Sequence, residues 1–463
     1  MQIASRRPFG PNYAFVVAGA IFLALLSAAG LRAAPGVLIL PLEKAFGWDR
    51  ASISVAAGIG IFLYGLTGPF AAALMNSFGL RRTVTLALLL MSVSTGLSAF
   101  MTTSWQYVAT WGVMAGVGSG AVAMVLGATV VNRWFVARRG MMMGLLAAST
   151  ATGSLIFLPG MALIADHGGW KPVVLTVSLV TLALAPLMWL LIPERPSDVG
   201  LKPYGAGDDY QEPERVNAGN ALAYAFGALG RAARMRTFWL LFLGFFICGL
   251  TTNGLVGVHM IAFCGDRGMP EVKAAGLLAL MGLFDLFGTT ASGWLTDRYD
   301  ARKLLFVYYV LRGLSLIYLP FSDFSVVSLS AFAVFYGLDW LATVPPTVRL
   351  STEAFGERDG PIVFGWIAAG HQLGAATAAI GAGVIRASQG QYVEAFIIAG
   401  SAGLIAGVAS LMIRRTVKAG TLAAAQSPQG LNTAPPQASK SRTLRVTRVR
   451  PCTWAVAARK ASI

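Results

Sequence analysis

The sequence predicts an all-α membrane protein with twelve transmembrane helices in two pseudo-symmetric bundles of six. The 463 residues are 56% hydrophobic and only 12% charged, with a mean hydropathy of +0.66, whereas soluble domains carry about 25% charged residues. A short cationic turn also occurs twice, as A-A-L-M-N-S-F-G-L-R-R at 72–82 and as G-W-L-T-D-R-Y-D-A-R-K at 293–303. Two such turns at matching places between apolar stretches indicate a duplicated membrane protein.

Twelve apolar stretches of about 20 residues, the length that crosses a bilayer, follow one another along the chain. We number them span 1 to span 12, with predicted limits of 14–36, 51–75, 83–101, 107–130, 140–164, 172–193, 237–262, 273–295, 303–321, 326–348, 361–385 and 391–413. A polar stretch separates the first six from the last six. The predicted domains are an N-terminal bundle at 1–193, a cytoplasmic linker with an interfacial helix at 194–236, a C-terminal bundle at 237–414 and a disordered basic tail at 415–463.

The distribution of positive charge predicts the orientation in the membrane. Loops that follow even-numbered spans hold ten Lys or Arg residues, and loops that follow odd-numbered spans hold six. By the positive-inside rule, and with Arg6 and Arg7 before span 1, both termini are expected in the cytoplasm of a multi-pass inner-membrane protein. The net charge is +16, of which +9 lies in the tail. Two readings of this tail stay open: it lies on anionic lipid headgroups, or it is solvated and has no function. No nucleic-acid partner is expected.

Residue patterns give no support for an enzyme. Cys248, Cys264 and Cys452 lack metal-ligand spacing, and the three histidines are dispersed along the chain. There is no phosphate-binding loop, which makes ATP drive improbable. The sequence therefore predicts no catalytic residues, no cofactor and no metal site.

The turn after span 8 resembles the loop motif of the major facilitator superfamily, roughly G-x-x-x-D-R-x-G-R-K. The resemblance covers residues 10 to about 415 and implies two six-helix bundles with substrate bound at mid-depth between them. It also implies a gate at the cytoplasmic ends, in which Gly293 lets two helices approach and Asp297 joins a charge network. The first copy has Asn76 in place of the aspartate. The implied gate residues are Gly293, Asp297, Arg298, Arg302 and Lys303, and in the first copy Gly79, Arg81 and Arg82.

Three other segments are similar to the bacterial branch related to monocarboxylate transporters and oxalate:formate antiporters. They are G-V-L-I-L-P-L-E-K-A-F-G-W at 36–48, N-R-W-F-V-A-R-R-G at 132–140 and P-S-D-V-G-L-K-P-Y-G at 196–205. The carboxylate-contacting positions of that branch are partly kept. His371 stands where the antiporters have a lysine, and Thr289 where they have an arginine. Asp285 matches an aspartate of monocarboxylate carriers, and Arg32 lies within about a residue of their basic position in span 1.

Polar residues inside the spans predict where a substrate binds, because a charge in hydrocarbon costs several kcal/mol unless it faces a cavity or a partner. The predicted substrate-binding residues are Arg32, Asn253, His259, His371 and Gln372. Asn253 and His259 reach one cavity only if span 7 is irregular between them. Structural alternatives stay open: Arg32 snorkels to the membrane interface, and the histidines are ordinary hydrogen-bonded residues.

A second set of ionisable residues lies in spans 8, 9 and 10. Asp285, Arg312 and Asp339 are predicted to form a buried charge network or a proton-coupling group, with Arg312 paired to one of the two aspartates. Pro345 and Pro346 are predicted to break span 10 and free backbone carbonyls. Because most of the buried charges lie in the second half, the sequence points to that half for the chemistry.

The resulting prediction is a monomeric secondary transporter that moves a small organic anion, a monocarboxylate, by alternating access. Proton symport through His371 or Asp285 is a further hypothesis. An efflux pump for hydrophobic compounds and a non-transporting membrane sensor remain as alternatives.

Overall fold

The computed structural model describes residues 12–207, 210 and 218–414. The predicted basic tail at 415–463 and the side chain of Asn76 lie outside that description. The described residues belong to one compact unit.

Each of the twelve predicted spans is helical. Spans 1 to 6 are Tyr13–Phe46, Arg50–Ser77, Leu80–Ser98, Ser104–Trp134, Arg139–Gly168 and Trp170–Leu191. Spans 7 to 12 are Arg236–Asp266, Glu271–Arg298, Ala301–Tyr318, Val326–Asp339 continued by Val344–Gln389, and Val393–Leu411. Spans 10 and 11 share the helix Val344–Gln389, which is kinked at Gly356 where φ is 83°.

Ten helices of the described residues are long and apolar enough to cross a membrane. The two predicted spans outside that set are span 5, whose apolar part is the shorter segment Leu155–Gly168, and span 11. We call the end of the bundle where span 1 begins the terminal end, and the end where span 1 finishes the distal end.

Span 1 ends ten residues later than predicted. It continues to Phe46 although Pro35 and Pro41 lie inside it, as proline is tolerated where neighbouring helices satisfy the freed backbone groups. Arg32 is therefore followed by 14 further helical residues. Arg32 thus lies well inside the helix and not near its end, as the predicted limit of 36 had placed it.

Span 10 is interrupted, but not by its prolines. The helix ends at Asp339 and resumes at Val344, so Pro345 and Pro346 lie in the first turn of the second segment. Proline is favoured there because the first helical N–H groups have no partner within the helix. The prolines start a helix after the break and do not cause it from inside.

The two halves contact each other through span pairs 1 and 7, 2 and 11, and 5 and 8. Near the distal end these contacts are backbone to backbone. A Cβ added to Gly36 of span 1 would lie 2.8 Å from the carbonyl oxygen of Gly257. A Cβ added to Gly383 of span 11 would lie 2.9 Å from the carbonyl oxygen of Arg50. Small residues permit this approach, as in other membrane helix pairs.

The linker contains the helix Ala218–Ala232. It is tied to the connection between spans 10 and 11, since Arg231 forms an ion pair with Asp359 at 2.6 Å and Tyr224 donates a hydrogen bond to the same carboxylate. This hydrogen-bonded carboxylate raises the pKa of Arg231. Trp366 also donates to the carbonyl oxygen of Ala225 at 3.0 Å. The predicted interfacial helix thus packs against the second half of the protein.

Candidate functional site

Arg32 lines a cavity of about 30 Å³ in the first half of the molecule. Spans 1, 2 and 4 form its walls. Apart from Arg32 and Ser119, the lining is apolar and mostly small: Leu31, Pro35, Ala56, Ala57, Gly60, Ile61, Trp111 and Gly116. Such a lining, apolar with few polar groups, is typical of small-molecule sites.

The Arg32 guanidinium has an aromatic partner and no acidic one. It lies over the ring of Tyr64, 4.6 Å from the ring centroid. Among the described residues no carboxylate lies within 4 Å of it. Because no described carboxylate pairs with it, this half-buried guanidinium can bind the carboxylate of a ligand.

Gln372 and Asn253 are half-buried residues of the second half. Gln372 packs against span 2 beside Tyr64, because a Cβ added to Gly65 would lie 2.5 Å from the Gln372 Cβ. Asn253 lies in a π-helical segment, Leu250–Val256, so span 7 has an irregular turn without being broken. Such turns are frequent at functional sites. The structure therefore brings Gln372 close to the aromatic partner of Arg32.

His371 is 5% exposed and faces the interior of the second half. Its ring lies 5.1 Å from the ring of Phe245, and neither ring nitrogen has a hydrogen-bond partner among the described residues. An imidazole always offers a donor or an acceptor. The Cys248 thiol is the polar group that interacts with the His371 ring, so at least one ring nitrogen keeps hydrogen-bonding capacity that the described protein groups do not use.

His259 is placed differently from its prediction. It is completely buried, with Nε2 2.7 Å from the carbonyl oxygen of Ala379 and Nδ1 3.1 Å from the hydroxyl of Tyr392. Both ring nitrogens are thus taken by protein groups. In this conformation His259 contacts the distal cluster described next and does not line the Arg32 cavity.

Arg50 connects the two halves at the distal end. Its guanidinium donates two hydrogen bonds to Asp266, at 2.7 and 2.9 Å, and a third to the Tyr392 hydroxyl at 3.4 Å. Glu43 accepts from Arg50 at 2.9 Å, and Arg386 also pairs with Asp266 at 2.8 Å. Between described residues, the side-chain hydrogen bonds that join the halves all involve Arg50. This arginine is 5% exposed, so water screens the cluster little.

Arg312 is the buried cation of the second half, and it pairs with Asp339. The Arg312 Nε donates to Asp339 Oδ2 at 2.6 Å, and the arginine is 1% exposed. Its Nη2 also donates to the carbonyl oxygens of Asp339 and Trp340, which the break in span 10 leaves without helical partners. The remaining Nη1 donates to the Cys248 sulfur at 3.0 Å. These bonds stabilise the interruption of span 10 and join it to Cys248 of span 7.

Asp285 of span 8 also binds the backbone at the interruption of span 10. Its Oδ1 accepts hydrogen bonds from the Leu341 backbone N–H at 3.0 Å and from the Thr289 hydroxyl at 2.8 Å. Ser292 donates to the carbonyl oxygen of Ala342 at 2.5 Å. The predicted pair of Arg312 and one aspartate is thus formed with Asp339, while Asp285 caps the backbone.

The two cationic turns occupy equivalent places in the two halves. Arg81 donates to the carbonyl oxygen of Ile192 at 2.9 Å, and Arg302 donates to that of Ile413 at 3.0 Å. In sequence, 221 residues separate the two arginines and also the two isoleucines. Each arginine therefore ties the start of the third helix of its half to the end of the sixth.

The turns differ in the group that caps the following helix. In the second half Asp300 accepts from the Arg302 N–H at 3.0 Å. Gly79 stands at the matching place in the first half, with φ 98°, and there Glu194 caps the helix by accepting from the N–H groups of Leu80 and Arg81. Sequence reasoning missed Glu194, because it lies more than 110 residues away in the predicted linker.

The implied gate network is not assembled in this conformation. Asp297 and Arg298 are exposed, and Arg298 stacks on Trp294 at 3.9 Å from the ring centroid. Arg302 pairs with Asp300 at 2.7 Å, and no described cation lies within 4 Å of Asp297. A Cβ added to Gly293 would meet no described atom within 4 Å, so Gly293 is not at a close helix contact here. Lys303 and Arg82 belong to the same terminal end.

Comparison with known proteins places the chain in a family. The chain belongs to the Major Facilitator Superfamily, whose model matches residues 20–349 and again 284–459. The predicted family and fold class are thereby confirmed, and the chain is a membrane transporter of that superfamily.

Its relatives include carriers named for monocarboxylates. It is 28% identical over 388 residues to monocarboxylate transporter 13 of Bos taurus, covering 83% of this chain and 85% of the relative. It is 24% identical over 323 residues to the uncharacterized MFS-type transporter YcxA of Bacillus subtilis (strain 168), covering 68% and 74%. The fold is also that of a bacterial homolog of the human lysosomal transporter Spinster, solved in an inward-facing, unoccupied conformation, with a TM-score of 0.69 at 16% identity over 88% of this chain and 99% of that one.

Proposed function

We propose that this protein is a secondary transporter that moves a small monocarboxylate across the cytoplasmic membrane by alternating access. The observation that carries the proposal is Arg32, a half-buried cation that lines a cavity and has no acidic partner among the described residues. Arg50 and Arg312, the other buried arginines discussed above, both pair with carboxylates of the protein. An uncompensated cation in a membrane interior is costly, and the carboxylate of a substrate compensates it.

Relatives named as monocarboxylate transporters support this choice of anion. The lining supports it too, because Arg32 is its single charged residue and the rest is apolar apart from Ser119. This lining favours a ligand with a single negative charge, because a second one would face apolar residues.

The two ends of the bundle support alternating access. Arg50 and the close glycine contacts seal the distal end, while no hydrogen bond between described residues joins the halves through the charged gate residues of the terminal end. With the termini in the cytoplasm, as the positive charges predict, this conformation is inward-facing. The outward-facing state then requires the Arg50 and Asp266 pair to separate.

For proton coupling, His371 fits better than Asp285. The Asp285 carboxylate caps the interrupted span 10, whereas the His371 ring is bound to no carboxylate or backbone group among the described residues and has the Cys248 thiol as its polar neighbour. Histidine also titrates near neutral pH in its unperturbed state. If an imposed pH gradient and the His371→Ala substitution both leave carboxylate uptake unchanged, this part of the proposal is contradicted.

The main test is uptake of radiolabelled short monocarboxylates by the purified protein in proteoliposomes. Arg32→Gln is expected to lower uptake at limiting substrate by tenfold or more, because a charge-assisted hydrogen bond contributes roughly 1.5–3 kcal/mol. Arg32→Lys should retain part of the activity, since it keeps the charge but loses the planar fork. Lys171→Gln, which removes an exposed cation, is the matched control and should leave uptake unchanged.

Three results would contradict the proposal. Uptake by Arg32→Gln equal to that of the wild type would show that the cation does not bind the anion. Carboxylate binding without flux would favour the membrane sensor, and export of hydrophobic compounds that persists in Arg32→Gln would favour the efflux pump.

A further inference from the structure

His259 is buried at the distal end, in the part of span 7 that contacts the first half. A Cβ added to Gly36 of span 1 would lie 3.2 Å from the carbonyl oxygen of Val258, the residue before His259. A Cβ added to Gly265, also in span 7, would lie 2.7 Å from the Cδ1 of Leu40. Separation of spans 1 and 7 would therefore uncover the segment of span 7 that holds His259.

The neighbours of His259 indicate which protonation state it adopts. The carbonyl oxygen of Ala379, 2.7 Å from Nε2, can only accept, so Nε2 carries the N–H and donates to it. In the neutral ring Nδ1 is then an acceptor, and the Tyr392 hydroxyl at 3.1 Å donates to it. The Tyr392 oxygen in turn accepts from Arg50 Nη1 at 3.4 Å. The hydroxyl thus connects the neutral imidazole of the second half to the arginine that joins the halves.

A proton on Nδ1 would break this connection, because the Tyr392 hydroxyl could no longer donate to the ring. The charges around the ring are already balanced. They are two guanidinium groups and two carboxylates, those of Arg50 in span 2, Arg386 in span 11, Glu43 in span 1 and Asp266 in span 7. Span 8 also packs against span 7, but among the described residues none of its charged groups bonds to His259. An imidazolium would therefore be an extra buried cation without a carboxylate of its own, which is costly.

We infer that His259 is a proton-binding site that controls the distal end: the closed state holds the neutral imidazole, and a proton taken up from the distal side favours the open state. This inference rests on the alternating access of the proposed function and not on the substrate. When Arg50 leaves with the first half, the Tyr392 hydroxyl loses its cationic neighbour and water reaches the ring, so an imidazolium is tolerated. Because the proton binds the open state better, a lower pH shifts the equilibrium toward that state.

The test measures opening of the distal end at two pH values with no substrate added. Ser54→Cys, at a fully buried position that packs against Gly383, is labelled by an impermeant maleimide on intact cells in a background without native cysteines. Each rate is divided by that of Thr102→Cys, an exposed residue of the same end, because thiol reactivity itself depends on pH. With His259 present, this ratio should rise about tenfold between about pH 8 and about pH 5.5, which is one unit below the ordinary histidine pKa of about 6.5.

His259→Gln is the main variant, because its amide can donate to Ala379 and accept from Tyr392 but does not titrate. It should match the wild type at the higher pH and show no rise at the lower pH. His167→Gln, which changes an exposed histidine of the same end, is the matched control and should keep the rise. Tyr392→Phe is the second variant. It removes the hydroxyl between the ring and Arg50, so labelling should already be high at the higher pH, and a full tenfold rise in this variant would contradict the inference.

Failure of this inference can be told apart from failure of the proposed function. If Ser54→Cys is labelled at neither pH, even when combined with Asp266→Asn, the distal end does not open and both fail. If the ratio does not change with pH, or if His259→Gln keeps the rise, alternating access stands and the role of His259 is overturned. A rise that is lost in His371→Ala and kept in His259→Gln would assign the proton to the coupling site of the proposed function and would also overturn it.

Discussion

The two halves of the molecule treat a buried arginine in opposite ways. Arg312 in the second half has every donor nitrogen engaged, by Asp339, by two backbone carbonyls and by the Cys248 sulfur. Arg32 in the first half contacts the face of Tyr64 and has no acidic partner among described residues. A buried charge is thus a structural element when protein groups satisfy it, and a candidate for ligand binding when they do not.

This difference changes which half of the molecule we expect to bind the substrate. The count of buried charges favours the second half, where Asp285, Arg312 and Asp339 lie. Their geometry assigns those three residues to the interruption of span 10. The cavity and its cation without an acidic partner among the described residues, Arg32, belong to the first half.

The largest expected effect is on stability in the second half. Arg312→Met should lower the free energy of unfolding by about 3–5 kcal/mol, because it leaves Asp339 as an unpaired buried charge. The measurement is the apparent Tm and SDS-induced unfolding of the purified protein in detergent. Arg32→Met is the matched control, expected to stay within about 1 kcal/mol of the wild type because no protein carboxylate loses a partner.

Double variants test the assignment of the pair. Adding Asp339→Asn to Arg312→Met should recover part of the lost stability, since it removes the orphaned charge. Adding Asp285→Asn to Arg312→Met should not recover stability. Equal recovery by the two aspartate changes would contradict the pairing, and a loss in Arg32→Met as large as that in Arg312→Met would remove the contrast between the halves.

A smaller effect is expected where the halves meet. Asp266→Asn weakens the contacts of Asp266 with Arg50 and Arg386 and should shift the protein toward the distally open state. The measurement is labelling of Ser54→Cys, a fully buried site beside this contact, by an impermeant maleimide added to intact cells in a background without native cysteines. The labelling rate should rise about tenfold, which corresponds to a shift of about 1.4 kcal/mol.

The control for that experiment is Asp323→Asn, which changes an exposed carboxylate at the same end of the bundle. It should leave labelling unchanged. Equal labelling in the Asp266 variant and the wild type would show that the Arg50 cluster does not hold the distal end closed.

The smallest effect concerns the caps of the two cationic turns. Glu194→Gln and Asp300→Asn each weaken the hydrogen bonds to the first N–H groups of the next helix, and each should cost roughly 1 kcal/mol. Apparent Tm values of the two variants provide the comparison. A cost confined to the Asp300 variant would mean that Glu194, supplied from a distant segment, does not replace the local cap.

Much of the fold was predictable because its signals are local. Span lengths, the duplicated turn and the polar linker can be read from runs of residues, and the helices reproduce them. The end of span 1 and the break in span 10 were not predicted correctly, because they depend on contacts with other parts of the chain. Span 1 passes through Pro35 and Pro41, which local sequence rules do not predict. Span 10 breaks before Pro345, where Asp285 and Arg312 from other spans bind the freed backbone groups.

The candidate site was only partly predictable for the same reason. Arg32 and Gln372 could be selected as polar residues in apolar spans, and the structure places both beside Tyr64 and Gly65 of span 2. His259 had the same signal, yet both of its nitrogens are taken by protein groups.

The sequence by itself determined the membrane location, the helical spans and the relation between the two halves, because hydropathy, length and a repeated motif are properties of consecutive residues. Only the tertiary structure decided which charges are satisfied. Arg312 pairs with Asp339, which is 27 residues away in sequence, and Arg50 pairs with Asp266, which is 216 residues away. Burial makes an ion pair or a hydrogen bond depend on the few groups within about 3 Å, and packing of the spans chooses those groups.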